Sequence, residues 1–182
     1  MALAPPASRL LTYDDLQELP DDGRRHELLD GMLVVTPAPG GPHQVVVGAL
    51  YRLLHAARSP GTSVLIAPVD LLLSQTTVLQ PDVVVVEAAE ALEHKLTLPP
   101  LLVAEVLSPS TRAYDLGSKM LTYAAAGIGW YWVVDPTRPV DVRVFRLDDG
   151  RYEEVGGASG DERLTVEDPY ALSLTPSELL AL

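Results

Sequence analysis

The stretch Leu101-Leu102-Val103-Ala104-Glu105-Val106-Leu107 decides the fold of this chain. It is apolar on both of its alternating faces, which is typical of a central strand that is covered on each side. A helix is predicted over residues 115–126, with Leu116, Met120 and Tyr123 on one apolar stripe, and a second apolar strand is predicted over residues 130–134. Strand, helix and strand in this order form a crossover unit. The sequence therefore predicts an α/β protein.

The rest of the chain predicts a mixed central sheet flanked by helices, with an N-terminal helix and hairpin. Asp30-Gly31 favours the left-handed backbone of a tight turn, which places two short strands over residues 26–36. The other predicted elements are a helix at 13–19, a proline-rich loop at 37–42, a helix at 43–58, strands at 63–67, 69–73 and 83–86, a hairpin of strands at 140–147 and 152–155, and a helical tail within 173–182. We expect one domain over residues 1–182.

Composition and charge restrict the classes of protein to which the chain can belong. Apolar residues make up 47% of its 182 residues, which argues for a folded domain. The lack of cysteine excludes disulfides, thiolate metal ligands and a cysteine nucleophile. No apolar stretch approaches the roughly 20 residues of a membrane helix, and no secretory signal is recognisable, so we expect a cytoplasmic location. The net charge of −12 disfavours sequence-independent adhesion to phosphate backbones and is the main argument against a nucleic-acid role.

Two acidic residues occupy positions at which apolar strands rarely carry a charge. Asp82 opens the run Gln80-Pro81-Asp82-Val83-Val84-Val85-Val86, and Glu105 interrupts the central strand. Burial of an ionised carboxylate is costly unless it is paired, hydrogen-bonded or bound to a metal. Both could project from the same end of a sheet, where carboxylate oxygens would suit Mg²⁺ or Mn²⁺. The alternative is that Asp82 is a solvated residue and that Glu105 pairs with Arg112, Lys119 or another internal base.

Further charged residues could complete such a site. Lys119 lies four residues after Asp115, and this spacing alone favours an ordinary ion pair on a helix surface. Its functional alternative is a cation beside the metal, where an ammonium group orients a water molecule or stabilises charge on a phosphate. Glu27 could add a third carboxylate. The basic residues that could lie around the same mouth are Arg24, Arg25, His26, His43 and Arg112. A histidine near a helix start is, however, more often a capping or surface residue.

Several motifs in a fixed order carry a resemblance to a known family. They are Arg25-His26-Glu27-Leu28-Leu29-Asp30-Gly31, Pro81-Asp82, Ala104-Glu105-Val106-Leu107-Ser108-Pro109-Ser110-Thr111, Asp115 to Lys119, and Tyr131-Trp132-Val133-Val134-Asp135-Pro136. Over residues 12–146, the expected core, the chain resembles the Uma family of bacterial endonucleases. This family belongs to the PD-(D/E)XK restriction-endonuclease-like superfamily.

The resemblance implies a restriction-endonuclease-like core and assigns roles to particular residues. Asp82 and Glu105 would bind Mg²⁺ or Mn²⁺, and the backbone carbonyl of Val106 would add a ligand. Glu27 would assist catalysis from the N-terminal segment.

Two positions depart from the usual pattern of the superfamily. Leu107 occupies the position of the usual lysine, and the resemblance implies that Lys119 on the following helix replaces it. Trp130 stands where relatives often carry an acid before Tyr-Trp. Because tryptophan replaces the acid, we expect no functional role for an acidic side chain at this position.

The sequence predicts metal-dependent hydrolysis of phosphodiester bonds, with DNA as the expected substrate. In this hypothesis Asp82 and Glu105 hold the cation, and Lys119 positions the nucleophile. The predicted substrate-binding residues are Arg24, Arg25, His43 and Arg112. The alternative is a catalytically inactive nuclease-fold protein that acts as an interaction module. A compact basic patch of Lys119 and the three arginines would favour the enzyme, and its absence would favour the module. Exposed aromatic residues over 130–132 predict a homodimer.

Overall fold

The computed structural model describes residues 9–181, which fold around a six-stranded mixed sheet. The strands of these residues are β1 (Arg25–Leu29), β2 (Met32–Thr36), β3 (Thr62–Ile66), β4 (Leu71–Ser74), β5 (Thr77–Leu79), β6 (Val83–Glu87), β7 (Leu102–Val106), β8 (Trp130–Asp135), β9 (Asp141–Asp148), β10 (Arg151–Ser159), β11 (Leu164–Val166) and β12 (Leu172–Leu174). The order in the main sheet is β10-β9-β8-β7-β6-β3. Strands β7 and β8 run parallel, and the other neighbours are antiparallel. The predicted class, mixed sheet and crossover are confirmed. The predicted domain of 1–182 also includes residues 1–8 and 182, which lie outside the described residues.

A second, four-stranded antiparallel sheet carries the N-terminal hairpin. Its order is β2-β1-β5-β4. The turn between β1 and β2 has positive φ angles at Asp30 (49°) and Gly31 (78°), as the dipeptide predicts. Strand β5 was not predicted, because its three residues give too short an apolar pattern to separate it from the preceding strand.

The described helices are α1 (Tyr13–Gln17), α2 (Gly41–Ala57), α3 (Arg112–Tyr114) and α4 (Met120–Ala125), with a π-helical turn over Asp115–Lys119 and 3-10 turns at Glu90–Leu92 and Pro176–Leu180. Helix α2 begins before the predicted start at residue 43, because Pro42 is tolerated in a first helical turn. The helical tail predicted within 173–182 forms as a 3-10 turn that begins at Pro176, since Ser173 belongs to β12. None of the helices described here is long and apolar enough to span a bilayer.

The main sheet is covered on both faces, as the apolar pattern of its central strands predicts. Val83 and Val85 of β6 pack in the cluster that contains the buried residues of α2. Val84 and Val86 alternate with them and pack on the opposite face, together with Tyr123 of α4. All four valines are at most 1% exposed. The acidic residues of the site therefore arise within an apolar interior.

The inward face of the helical segment after β7 differs from the prediction. An apolar stripe that includes Leu116 was expected to face the core, but Leu116 is 37% exposed. Asp115 and Lys119 are buried instead, at 2% and 1% exposure, beside Tyr123 of the predicted stripe, which is fully buried as expected. Charged residues face inward here because they find partners of opposite charge in the interior. The prediction of exposed aromatic residues over 130–132 is also wrong for Tyr131 and Trp132, which are buried, whereas Trp130 is half-buried.

Candidate active site

The pairing of β6 with β7 brings the two acidic strand residues together. Asp82 lies immediately before β6, and the antiparallel register sets Val83 opposite Ala104, next to Glu105. The main-chain N–H of Asp82 donates a hydrogen bond to Glu105 Oε2 at 3.3 Å, and the N–H of Val106 donates to Asp82 Oδ2 at 2.9 Å. Asp82 is 3% exposed, so the solvated alternative is wrong. Val106 thus contributes its main-chain N–H group to the site, as a hydrogen-bond donor to Asp82.

Lys119 is an internal cation rather than a member of a surface pair. Its Nζ lies 2.9 Å from Glu105 Oε1, 3.1 Å from Glu27 Oε1 and 3.7 Å from Asp115 Oδ1. Burial alone would lower the pKa of Lys119, but the charges of the three carboxylates raise it. Lys119 is therefore protonated, and of the two bases named as partners of Glu105 it is the one that forms the pair.

Glu27 reaches the same cluster from β1. Its Oε1 atom accepts a hydrogen bond from the main-chain N–H of Gln80 at 2.7 Å, in addition to its contact with Lys119. The side chain is 1% exposed. The second sheet thus contributes a third buried carboxylate to the end of the main sheet.

Burial dominates the electrostatics of Glu105. Burial raises the pKa of its carboxyl group to about 8, in spite of the opposing charge of Lys119, and the neighbouring carboxylates of Asp82 and Asp115 act in the same direction as burial. The pKa of Asp115 is also raised, again chiefly by burial. More negative charge is collected here than the enclosed cations neutralise.

Asp82 has the opposite balance. Its Oδ1 atom accepts a hydrogen bond from Arg25 Nη2 at 2.8 Å, and its Oδ2 atom lies 3.1 Å from His43 Nε2. Burial would raise the pKa of Asp82, but His43 and Arg25 together hold it well below its usual range. Asp82 is therefore ionised at neutral pH.

A cavity of about 170 Å³ opens onto these groups. Its walls come from the loop at 37–40, which leads into α2, and from the loop at 108–111, which follows β7. Asp82, Glu105 and Asp115 line it together with Arg25 and His43. Three acids and two basic side chains thus converge on one opening.

The other predicted basic residues do not join this group. Arg24 and His26 both lie next to Asp22, with His26 Nε2 at 3.7 Å from its Oδ1. Arg112 is exposed and pairs with Asp135. With Lys119 buried, the expected compact basic patch of four cations does not form.

The charge and donor chemistry of the cluster fit a hard divalent cation. Four buried acids, Glu27, Asp82, Glu105 and Asp115, face the two cations Arg25 and Lys119. With all four ionised, which requires Glu105 to release its proton when a cation binds, and with His43 left aside, four minus two leaves two negative charges. Carboxylate oxygens are the ligands that Mg²⁺ and Mn²⁺ prefer. Across residues 9–181, no three His, Asp or Glu side chains are already arranged around a common point. Rearrangement of side chains at the cavity would therefore accompany binding.

Sequence reasoning missed two side chains of the cluster. Asp115 was considered only as a partner of Lys119, and Tyr123 only as an apolar core residue. The hydroxyl group of Tyr123 donates to Glu105 Oε1 at 2.7 Å. The available signal was spacing, since both residues lie four positions from Lys119 and share its helical face.

A mixed sheet with a β7–β8 crossover and two adjacent acids at the ends of neighbouring strands fits the restriction-endonuclease-like class of proteins, with Lys119 on the connecting helix in place of the usual strand lysine. The Uma2 family, described as "Putative restriction endonuclease", matches residues 13–177. The chain belongs to this family, which confirms the resemblance and extends it beyond residue 146.

A solved structure gives the same fold. It is a crystal structure from Anabaena variabilis ATCC 29413, described as a putative nuclease belonging to DUF820. The TM-score is 0.75 at 19% sequence identity, and the match covers 94% of this chain and 98% of the other. No curated protein matches the sequence. At this identity the structural likeness concerns the fold.

Proposed function

We propose that this member of a nuclease family hydrolyses phosphodiester bonds in DNA and depends on Mg²⁺ or Mn²⁺. The observation that carries the proposal is the meeting of Asp82 and Glu105, with Lys119 Nζ 2.9 Å from Glu105. Two acids and an amine at the end of a nuclease sheet are the groups that metal-assisted phosphodiester hydrolysis requires.

Asp82 and Glu105 would hold the cation, with the carbonyl oxygen of Val106 as a further ligand. A bound cation would supply an activated water and neutralise charge on the phosphate. Asp82 is suited to this role because its pKa is held below the usual range, so its oxygens carry negative charge at neutral pH.

Residues at and behind the cavity would position the substrate. Lys119 is buried and does not line the cavity, but it holds Glu105 and Glu27 in place and would add positive charge behind the reacting phosphate. Arg25 and His43 line the opening, so they are the predicted substrate-binding residues best placed to contact a phosphate. Arg24 and Arg112 lie outside the cavity lining, and contacts from them would be peripheral.

The inactive interaction module is the second candidate. The observation in its favour is the missing basic patch, together with a net charge of −12. Nucleic-acid affinity comes largely from lysine and arginine side chains that displace counterions from phosphates. An active enzyme of this composition would bind DNA through a few contacts at the cavity rather than through a broad surface.

Cleavage of a mixed panel of single- and double-stranded DNA distinguishes the two candidates. The wild type is compared with Asp82→Ala and Glu105→Ala in Mg²⁺, in Mn²⁺ and in EDTA, and with Glu153→Gln, which changes an exposed acid of β10. We expect the wild type and Glu153→Gln to cleave only with metal and the two site variants to be inactive. Equal cleavage by all proteins would assign the activity to a contaminant, and no cleavage by any would favour the interaction module.

A cytoplasmic location and a homodimer stay predictions. Of the three aromatic residues expected to support the dimer, Tyr131 and Trp132 are buried and Trp130 is half-buried. Exposed apolar residues lie instead on the edge strand β2, where Met32 is 61% and Val35 is 38% exposed. Light scattering during size-exclusion chromatography measures the number of subunits directly.

A further inference from the structure

Tyr123 is a buried polar residue that the proposed reaction does not use. It lies on α4, one turn after Lys119, and its side chain is fully buried. Its ring packs against Tyr131, with the ring centres 5.4 Å apart. The hydroxyl group donates to Glu105 Oε1 at 2.7 Å, which is shorter than the 2.9 Å contact of Lys119 with the same atom.

The two oxygens of Glu105 have different surroundings. Oε1 receives two close donors from the helix, Tyr123 and Lys119, which occupy both of its lone pairs. Among residues 9–181, the only hydrogen-bond donor to Oε2 is the main-chain N–H of Asp82, at 3.3 Å. The oxygen with remaining acceptor capacity is therefore the one on the side of Asp82.

We infer that Tyr123 is a positioning residue that fixes the Glu105 carboxylate so that Oε2 is offered to the divalent cation. The inference rests on the proposed function, because it concerns the binding of that cation. A phenol suits this task better than a second lysine, since it donates a hydrogen bond without adding a positive charge that would repel the metal. Packing against Tyr131 holds the ring in one orientation.

The hydrogen bond between Tyr123 and Glu105 is tested by Mn²⁺ binding, which needs no turnover. Tyr123→Phe keeps the ring and removes only the hydroxyl group. The matched control is Tyr152→Phe, which loses a hydroxyl that donates to the carbonyl of Ile128 at 2.7 Å, away from the acids. Mn²⁺ dissociation constants are measured for the three full-length proteins by calorimetry and by electron paramagnetic resonance.

We expect Tyr123→Phe to bind Mn²⁺ about 10- to 100-fold more weakly, as is usual when a ligand loses its outer hydrogen bond. Tyr152→Phe should bind like the wild type, although both variants lose one hydrogen-bonded hydroxyl group and some thermal stability. Equal Mn²⁺ affinity of Tyr123→Phe and Tyr152→Phe would overturn the inference and leave the proposed function intact. A wild type that binds no Mn²⁺ would overturn the proposed function and the inference with it. Should Tyr123→Phe be too unstable to titrate, the series is repeated in trimethylamine N-oxide, which favours the folded state.

Discussion

Lys119 Nζ lies 2.9 Å from Glu105 Oε1 in the interior of the protein, and neither side chain is more than 2% exposed. The same ammonium group is the closest positive charge to Glu27 and lies 3.7 Å from Asp115. One buried cation thus serves three buried acids. Because a buried charge is costly without a partner, the stability of the fold and the charge of the site depend on the same residue.

Replacement of Lys119 by methionine should destabilise the protein strongly. Lys119→Met keeps most of the side-chain volume but leaves Glu27, Glu105 and Asp115 without their cation. We expect the free energy of unfolding at neutral pH to fall by about 3–5 kcal/mol, as for other buried pairs that lose one partner. Urea denaturation followed by circular dichroism measures it. Lys95→Met is the control, because that ammonium lies over the ring of Tyr13, 4.1 Å from its centre, outside the acidic cluster. Equal losses in both variants would contradict the prediction.

The pKa of Glu105 predicts how stability changes with pH in the metal-free protein. The folded-state pKa is raised to about 8 from an ordinary 4.5, so the folded protein holds a proton that the unfolded chain releases. Stability from this group is complete below pH 4.5 and is lost as the pH rises through about 8. Because the folded and unfolded states differ by at most one proton at this group, the free energy of unfolding changes by at most about 1.4 kcal/mol per pH unit. Asp115 adds to the same trend, since burial raises its pKa too.

Unfolding in EDTA between pH 5 and 9 measures this slope. Glu105→Gln is the appropriate comparison, because its amide is neutral at every pH. We expect the slope of the wild type to be clearly steeper than that of Glu105→Gln, which retains the contribution of Asp115. If both proteins lose stability in parallel, Glu105 is not the group that titrates.

The meeting of Asp82 and Glu105 could be predicted because each breaks an apolar strand pattern. A carboxylate in such a run needs a partner, and neighbouring strands supply one. The inward side of the following helix could not be predicted in the same way. Four-residue spacing from Asp115 to Lys119 favours a surface ion pair, and it carries no sign of the buried acids Glu27 and Glu105 that pair with Lys119 in the interior. The apolar residue Leu116 then predicted that its own side of the helix faces the core, whereas Leu116 is exposed.

The acidic partners of the arginines could not be predicted from the sequence pattern either. Arg25 contacts Asp82, which lies 57 positions away in the sequence. Arg112 pairs with Asp135, which is the last residue of β8. Pairings over such distances depend on strand order and register. Nothing in local composition separates an arginine that is free to bind phosphate from one that is already paired.

Two glycines of the helical segment provide a test of its backbone. A Cβ atom at Gly117 or at Gly127 would have no heavy atom within 4 Å, so neither substitution by alanine causes a clash. Gly117 lies in the π-helical turn, and Gly127 follows α4 with a φ of +77°. We expect Gly117→Ala to raise the free energy of unfolding by about 0.4–1 kcal/mol, because alanine loses less chain entropy on folding. Gly127→Ala should lower it, since positive φ strains a residue with a Cβ atom. Thermal unfolding of both variants gives the two signs, and a stabilised Gly127→Ala would contradict the assignment of its backbone.

Arg25 occupies an oxygen of Asp82 that a cation could use, and this predicts opposite effects on two ligands. Arg25→Met removes a positive charge 2.8 Å from Asp82 Oδ1, so Mn²⁺ should bind more tightly. The same change removes a cation from the lining of the cavity, so DNA should bind more weakly. Calorimetry with Mn²⁺ and fluorescence anisotropy with a labelled DNA duplex in EDTA measure the two affinities separately. Arg24→Met is the control, because Arg24 is exposed and already paired with Asp22, and it should change neither affinity. If Arg25→Met weakens Mn²⁺ binding, Arg25 is required to keep Asp82 in place for the metal, and competition between the two cations is refuted.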